Sequence, residues 1–265
     1  MTKILSGKEL AGFIKERQRH QVASLKGQGI IPKLVIVRDS DNPVITKYVS
    51  LKQRYGADIG ITVEDFFVNP NQLESTVQTL NQDPSVDAFI IQLPLINPEQ
   101  TEKIVSQITP KKDVDNLSEK SPFDSATAEA INWLLAGYDI DLKTKKIAIV
   151  GKGKLVGAPL LKILQASNFQ PTVFVKGDDL TKLAQYDVII TATGVPHLIT
   201  DKMVSSGTTI IDAGTASENG VLKGDVDDSV RSRDDLKAIT PIIGGVGPLT
   251  VSVLFDHVIT AASDK

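Results

Sequence analysis

The chain alternates two hydrophobic rhythms. Short β-prone apolar runs at Leu34 to Val37, near Ile59 to Phe67, at Val86 to Leu93, Ile147 to Val150, Thr172 to Val175, Asp187 to Ala192 and Thr208 to Asp212 read as strands. Between them, apolar residues three and four apart predict helices. These run from about Gly7 to Leu25, through the stretch containing Tyr48, Leu51, Lys52 and Tyr55, near Gln72 to Leu80, near Thr127 to Gly137, at Leu160 to Leu164 and from about Leu249 to Ala262. Strands that alternate with helices predict an α/β fold with parallel sheets covered on their faces. The polar, turn-rich segment Pro110 to Phe123 (PKKDVDNLSEKSPF) reads as a linker, so one α/β unit ends near residue 118 and a second follows.

The second unit is organised around IAIVGKGKLVGAPLLKIL, Ile147 to Leu164. Its strand runs directly into Gly151, Gly153 and Gly157 and then into a helix. Glycines there let the backbone approach a ligand, and free N–H groups at the helix start favour a phosphate. The spacing G-x-G-x-x-x-G is one residue longer than the commonest dinucleotide pattern, and a plain α/β turn is the alternative.

Composition narrows the rest. With 265 residues, 41% hydrophobic and 23% charged, the chain has the make-up of a soluble globular protein with ample core. A net charge of -3 offers no electrostatic case for nucleic acid or an anionic membrane. Zero cysteines exclude disulfides and thiol nucleophiles. The amphipathic start is unlike a signal peptide and no apolar run looks long enough to span a bilayer, so a cytoplasmic location is expected.

Tyr48 and Lys52 lie four apart on one helix face; a phenol beside an ammonium can position a substrate and pass a proton, or the pair can be merely exposed. The same Y-x-x-x-K spacing serves short-chain dehydrogenases, where it follows the cofactor turn instead of preceding it. Gln92 interrupts AFIIQLPL at the expected C-terminal end of a parallel strand, where ligands of open α/β sheets bind. Asp113 and Asp115 fall in the expected linker. The stretch TPIIGGVGPLT, with Gly244, Gly245, Gly247 and Pro248, suits close approach to a ligand or a plain helix-entry turn. His20, His197 and His257 lack metal-ligand spacing and read as incidental, and no metal site is expected.

Taken in order, these segments resemble the bifunctional methylenetetrahydrofolate dehydrogenase/methenyltetrahydrofolate cyclohydrolase (FolD) family over nearly the whole chain. DNPVITKYVSLKQRYGADIGI resembles the segment with the folate-site tyrosine and catalytic lysine, which fall on Tyr48 and Lys52. IIQLPL matches the segment whose glutamine, here Gln92, assists that lysine. KDVDN matches KDVDG, whose second aspartate binds the pterin, here Asp115. VGKGKLVGAP resembles the cofactor turn, ATGVPHLI and IIDAGT the strands after it, and TPIIGGVGPLT is close to PGGVGPMT. The departures are Lys152-Gly153 for the family's Arg-Ser, Lys176-Gly177 at a later basic or hydroxyl pair, Asn116 for glycine, and Ser125-Ala126-Thr127-Ala128 for Pro-Cys-Thr-Pro.

The resemblance implies two α/β domains with the active site in a cleft between them. Residues 1–118 with a C-terminal helix 249–265 form the folate-binding catalytic domain, and 119–248 a Rossmann-type NAD(P)-binding domain. It implies oxidation of 5,10-methylenetetrahydrofolate with NADP, NAD being the alternative, then hydrolysis of the methenyl product to 10-formyltetrahydrofolate, within one-carbon metabolism and purine biosynthesis. Tyr48, Asp115, Gly245 and Pro248 are expected to meet the folate, with Lys52, Tyr48 and Gln92 catalytic. Gly151, Lys152, Gly153, Gly157, Lys176 and Thr193 are expected to meet the cofactor. A homodimer through the cofactor domains is implied, with tetrahydrofolate derivatives as the ligands. Competing readings are a shikimate- or amino-acid-type dehydrogenase, a cyclohydrolase alone, and a folate- or nucleotide-binding protein that has lost dehydrogenase activity.

Overall fold

The structure, a computed structural model, describes residues 1–218 and 221–264. In chain order its elements are β1 (Lys3–Ile4), α1 (Gly7–Gly27), β2 (Lys33–Arg38), α2 (Pro43–Ile59), β3 (Thr62–Phe67), α3 (Leu73–Gln82), β4 (Ala88–Ile91), α4 (Thr101–Val105) and α5 (Ala126–Gly137). Then follow β5 (Ile147–Val150), α6 (Gly157–Ala166), β6 (Thr172–Phe174), β7 (Val188–Thr191), β8 (Thr209–Asp212), β9 (Ala216–Glu218), β10 (Val221–Lys223), α7 (Asp228–Arg231), β11 (Ala238–Ile239) and α8 (Val246–Ser263). Contacts divide the chain into two compact units, Phe13–Ala126 with Val251–Lys265 and Met1–Gly12 with Thr127–Thr250. The boundaries therefore differ from 1–118 and 119–248. The first twelve residues belong with the second unit, and Lys265 lies outside the described residues.

The first unit holds a parallel sheet in the order β3-β2-β4. Central β2 buries all of Leu34, Val35, Ile36 and Val37, as a strand covered on both faces must. On one face Val35, Val37 and Phe89 pack with Leu73, Val77 and Leu80 of α3 and Ile104 of α4. Helix α2 starts where Asn42 Oδ1 accepts from Val44 N at 2.8 Å, with Pro43 preset for the first turn. It continues through Ile59, where a strand was expected to begin, because Gly60 at φ 88° supplies the left-handed stop.

The segment expected as a linker is packed structure. Asp113, Val114, Leu117 and Ser118 are buried. Its polar groups satisfy one another: Asp113 accepts from Leu117 N at 3.0 Å, Ser118 N at 2.8 Å and Ser118 Oγ at 2.6 Å. Asn116 sits at φ 51°, a left-handed conformation that glycine or asparagine takes most readily.

The second unit carries six parallel strands in the order β1-β11-β8-β7-β5-β6. Strands β1 and β11, two residues each, carry too little pattern to show in the sequence, as does the antiparallel β9/β10 pair. The chain passes from β5 to β6 on one side and returns to β7 on the other, so the strand order reverses at β5. Open α/β sheets bind ligands at the carboxyl end of such a switch point.

Helix α8 begins at Val246, so Gly247 and Pro248 lie in its first turn and not before it. Contrary to the sequence expectation, α8 is long and apolar enough to cross a membrane by length and composition. Its apolarity is that of a core helix, since Leu249, Val253, Leu254, Phe255 and Val258 are all buried in the protein.

The Asp113 network yields a stability prediction. Asp113→Ala strips three donors of their acceptor in the interior and should cost about 3 kcal/mol in urea unfolding. A solvated linker residue would cost less than about 0.5 kcal/mol.

Candidate functional site

Three chemistry-bearing side chains, those of Lys52, Gln92 and Asp115, converge in the first unit. Lys52, half-buried on α2, donates from Nζ to Gln92 Oε1 at 2.7 Å. Gln92 directly follows β4, its backbone N–H held by Val37 O at 2.8 Å, and its own amide reaches Leu93 O at 3.3 Å. Burial pushes the Lys52 ammonium below its ordinary pKa of 10.5, and the Asp115 carboxylate opposes that shift. Burial likewise pushes Asp115 up to about 6; the charges of Lys52 and His257 pull it down, and that of Asp113 raises it. A lysine whose burial favours the neutral form thus stands beside a carboxyl raised to about 6. Such paired groups are what proton transfer requires.

Tyr48 is on the Lys52 side of α2, one turn earlier, and is 38% exposed. One turn on, Tyr55 serves structure: its hydroxyl donates to Gln18 Oε1 at 2.8 Å and accepts from Ser252 Oγ at 3.0 Å, and its ring stacks on Phe255. Burial raises that phenol to about 12.

In the second unit the glycine turn has the shape a dinucleotide needs. Gly151 sits at φ 98°, and a side-chain carbon there would stand 2.7 Å from Ala192 O. At Gly157 the same carbon would stand 2.0 Å from Gly151 O. Only bare backbone fits both positions, and it leads straight into α6, whose first N–H groups suit a phosphate. Gly153 is different, with open space where a side chain would go. Lys152 and Lys176 are both exposed, Lys176 in the turn that closes with Asp178 N donating to Val175 O at 3.0 Å. Thr193 is held from behind: its N–H donates to Asp225 Oδ2 at 2.7 Å, which also accepts from Thr191 Oγ1 at 2.6 Å. The residues present therefore fit a dinucleotide cofactor.

Gly245 and Pro248 fall in the second unit, apart in the chain's division from Lys52, Gln92 and Asp115. Gly245 is needed by the fold itself, because a side-chain carbon would meet Pro241 O at 2.5 Å.

Residues 5–115 match the family described as tetrahydrofolate dehydrogenase/cyclohydrolase, catalytic domain, and residues 125–265 match its NAD(P)-binding domain. The chain belongs to this FolD family. It is 36% identical to the bifunctional protein FolD of Hydrogenobaculum sp., over 99% of each chain. The structure of bifunctional FolD from Campylobacter jejuni superposes with a TM-score of 0.91 at 32% identity, over 100% of this chain and 99% of that one. That of Trypanosoma brucei FolD, complexed with NADP cofactor and an inhibitor, superposes at 0.90 and 26% identity, over 99% of this chain and 98% of that one. As a FolD-family member the chain is a dehydrogenase and cyclohydrolase of tetrahydrofolates with an NAD(P)-binding Rossmann-type domain.

Three residues near the FolD segments escaped sequence reasoning. His257, read as incidental, is buried, with Nδ1 2.8 Å from Val114 O. Asp225 anchors Thr193, and its Oδ1 has no hydrogen-bond partner among the described residues. Asp178 folds back to accept from Val175 N at 2.7 Å at the end of β6. Nothing in spacing singles them out, since each acts through contacts distant in sequence or through a local turn.

The raised Asp115 carboxyl sets a pH dependence. Its protonated form is favoured in the folded chain, so its stabilising contribution is present below about pH 4 and is lost as pH rises through about 6. Unfolding titrations should show this decline in the native protein and a flatter profile over the same window in Asp115→Asn.

Proposed function

We propose that Lys52 is the proton carrier of the cyclohydrolase step, and that the chain oxidises 5,10-methylenetetrahydrofolate with NADP before hydrolysing the methenyl product. The observation that carries this reading is the 2.7 Å Lys52–Gln92 bond on a desolvated ammonium. In the oxidation a nicotinamide cofactor accepts the hydride that leaves the one-carbon bridge. The folate nitrogens stabilise the resulting cation, so the protein needs to position the substrate more than to supply a base.

Hydrolysis asks for more. Water adds to the methenyl carbon and loses a proton, and N5 must then gain one as its bond to that carbon breaks and the formyl group forms on N10. Neutral Lys52 takes the proton from water and its ammonium returns one to N5, with Gln92 fixing where Nζ points. Asp115 accepts hydrogen bonds from the pterin and Tyr48 packs on the folate. Gly245 and Pro248 are assigned to the folate by the family pattern alone.

The cofactor lies against Gly151, Gly153, Gly157 and Thr193. Lys152 and Lys176 neutralise a 2′-phosphate as point charges, without the planar fork of arginine. NAD is a second reading, favoured by the Asp178 carboxylate at the end of β6, where a Rossmann-type acid binds a ribose hydroxyl.

Two experiments test this. Lys52→Met should lower methenyltetrahydrofolate hydrolysis by about 100-fold or more while folate binding holds; undiminished hydrolysis overturns the assignment. Reduction rates at equal NADP and NAD should favour NADP in the native protein, and Lys176→Ala should raise the KM for NADP about ten-fold with little change for NAD. A preference for NAD would contradict the phosphate reading.

A further inference from the structure

Buried histidines outside a metal site usually hold something in place, and His257 has a specific object. On α8, with 7% of its surface exposed, it stacks on Phe123 at 4.8 Å between ring centroids and lies 2.8 Å through Nδ1 from Val114 O. A carbonyl has no proton to give, so Nδ1 carries the hydrogen and donates it. That bond therefore survives whether the imidazole is neutral or protonated.

The Val114 carbonyl belongs to the peptide that leads into Asp115. A peptide unit is planar, so holding its oxygen fixes the plane from which the Asp115 Cα and side chain emerge. Downstream, the buried Asp113 carboxylate grips Leu117 N and Ser118 N, and Asn116 takes the left-handed turn between. Asp115 thus stands between two clamps, one from its own loop and one from α8.

We propose that His257 is a positioning residue: through the Val114 carbonyl it sets the direction in which Asp115 presents its carboxyl to the folate. This rests on the reading of Asp115 as a pterin acceptor. It adds that His257, more than two turns along α8 from Pro248, controls folate affinity without touching the substrate.

The imidazole Nδ1 and the amide nitrogen of asparagine are the same number of bonds from Cα, whereas that of glutamine is one bond further. His257→Asn can keep the Val114 bond; His257→Leu and His257→Gln cannot keep it in place. In the dehydrogenase assay, His257→Leu should raise the KM for methylenetetrahydrofolate about ten-fold, with kcat and the cofactor KM within about three-fold. His257→Asn should bring the folate KM back to within about three-fold of the native value, and His257→Gln should not. A merely structural role would lower melting temperature and active fraction without moving the folate KM. An unchanged KM in His257→Leu, or equal KM values in the Asn and Gln variants, overturns the proposal. Should the leucine variant fail to fold, the Asn and Gln pair decides alone. A native protein without folate turnover instead overturns the site reading beneath it.

Discussion

One ammonium group, taken out of water without a full counter-charge bond, is what the catalytic half of this FolD-family chain is built to hold. Lys52 is desolvated, hydrogen-bonded to a neutral amide and only influenced by a carboxylate, so its charged form gains less than it loses. A direct ion pair with Asp115 would lock the lysine protonated and leave it unable to accept. Gln92 supplies direction without charge. In that division of labour an amide aims the nitrogen, while burial favours its neutral form and a carboxylate opposes that shift.

The scaffold supplies each member from a different element. Helix α2 is capped by Asn42 and stopped by Gly60, which sets the turn that carries Lys52. Strand β4 delivers Gln92 beyond its carboxyl end, and the Asp113–Ser118 loop delivers Asp115. Rigid delivery matters because a proton moves over tenths of an ångström, and a loosely held lysine would pair with its carboxylate or return to water. In the second unit the same logic serves a ligand made of phosphates and sugars. Gly151 and Gly157 clear the backbone, while Asp225 pins Thr193 beside them.

Sequence patterns revealed what depends on local repetition. Strands β2 and β5 are legible because buried parallel strands are apolar throughout, and the glycine turn because its residues are contiguous. Polarity misled at Pro110 to Phe123, where aspartate and serine signal solvent yet satisfy one another inside the protein. Gly247 and Pro248 looked like a turn, although proline is tolerated in a first helical turn, and α8 holds both. Forty residues separate Lys52 from Gln92, so periodicity left that pair as one reading among several and the family resemblance joined them. His257 was invisible for a further reason: histidine is searched for by metal spacing, and its partner is a backbone carbonyl with no sequence signature.

The proton on Lys52 decides whether the site can work, and it is best read on the nitrogen itself. With the lysines labelled at Nζ with nitrogen-15, a pH titration followed by NMR reports the Lys52 pKa directly. It should lie clearly below the ordinary value of 10.5 and fall further in Asp115→Asn, which removes the charge that holds it up. A Lys52 titrating at or above the ordinary value, indifferent to Asp115, would contradict the account.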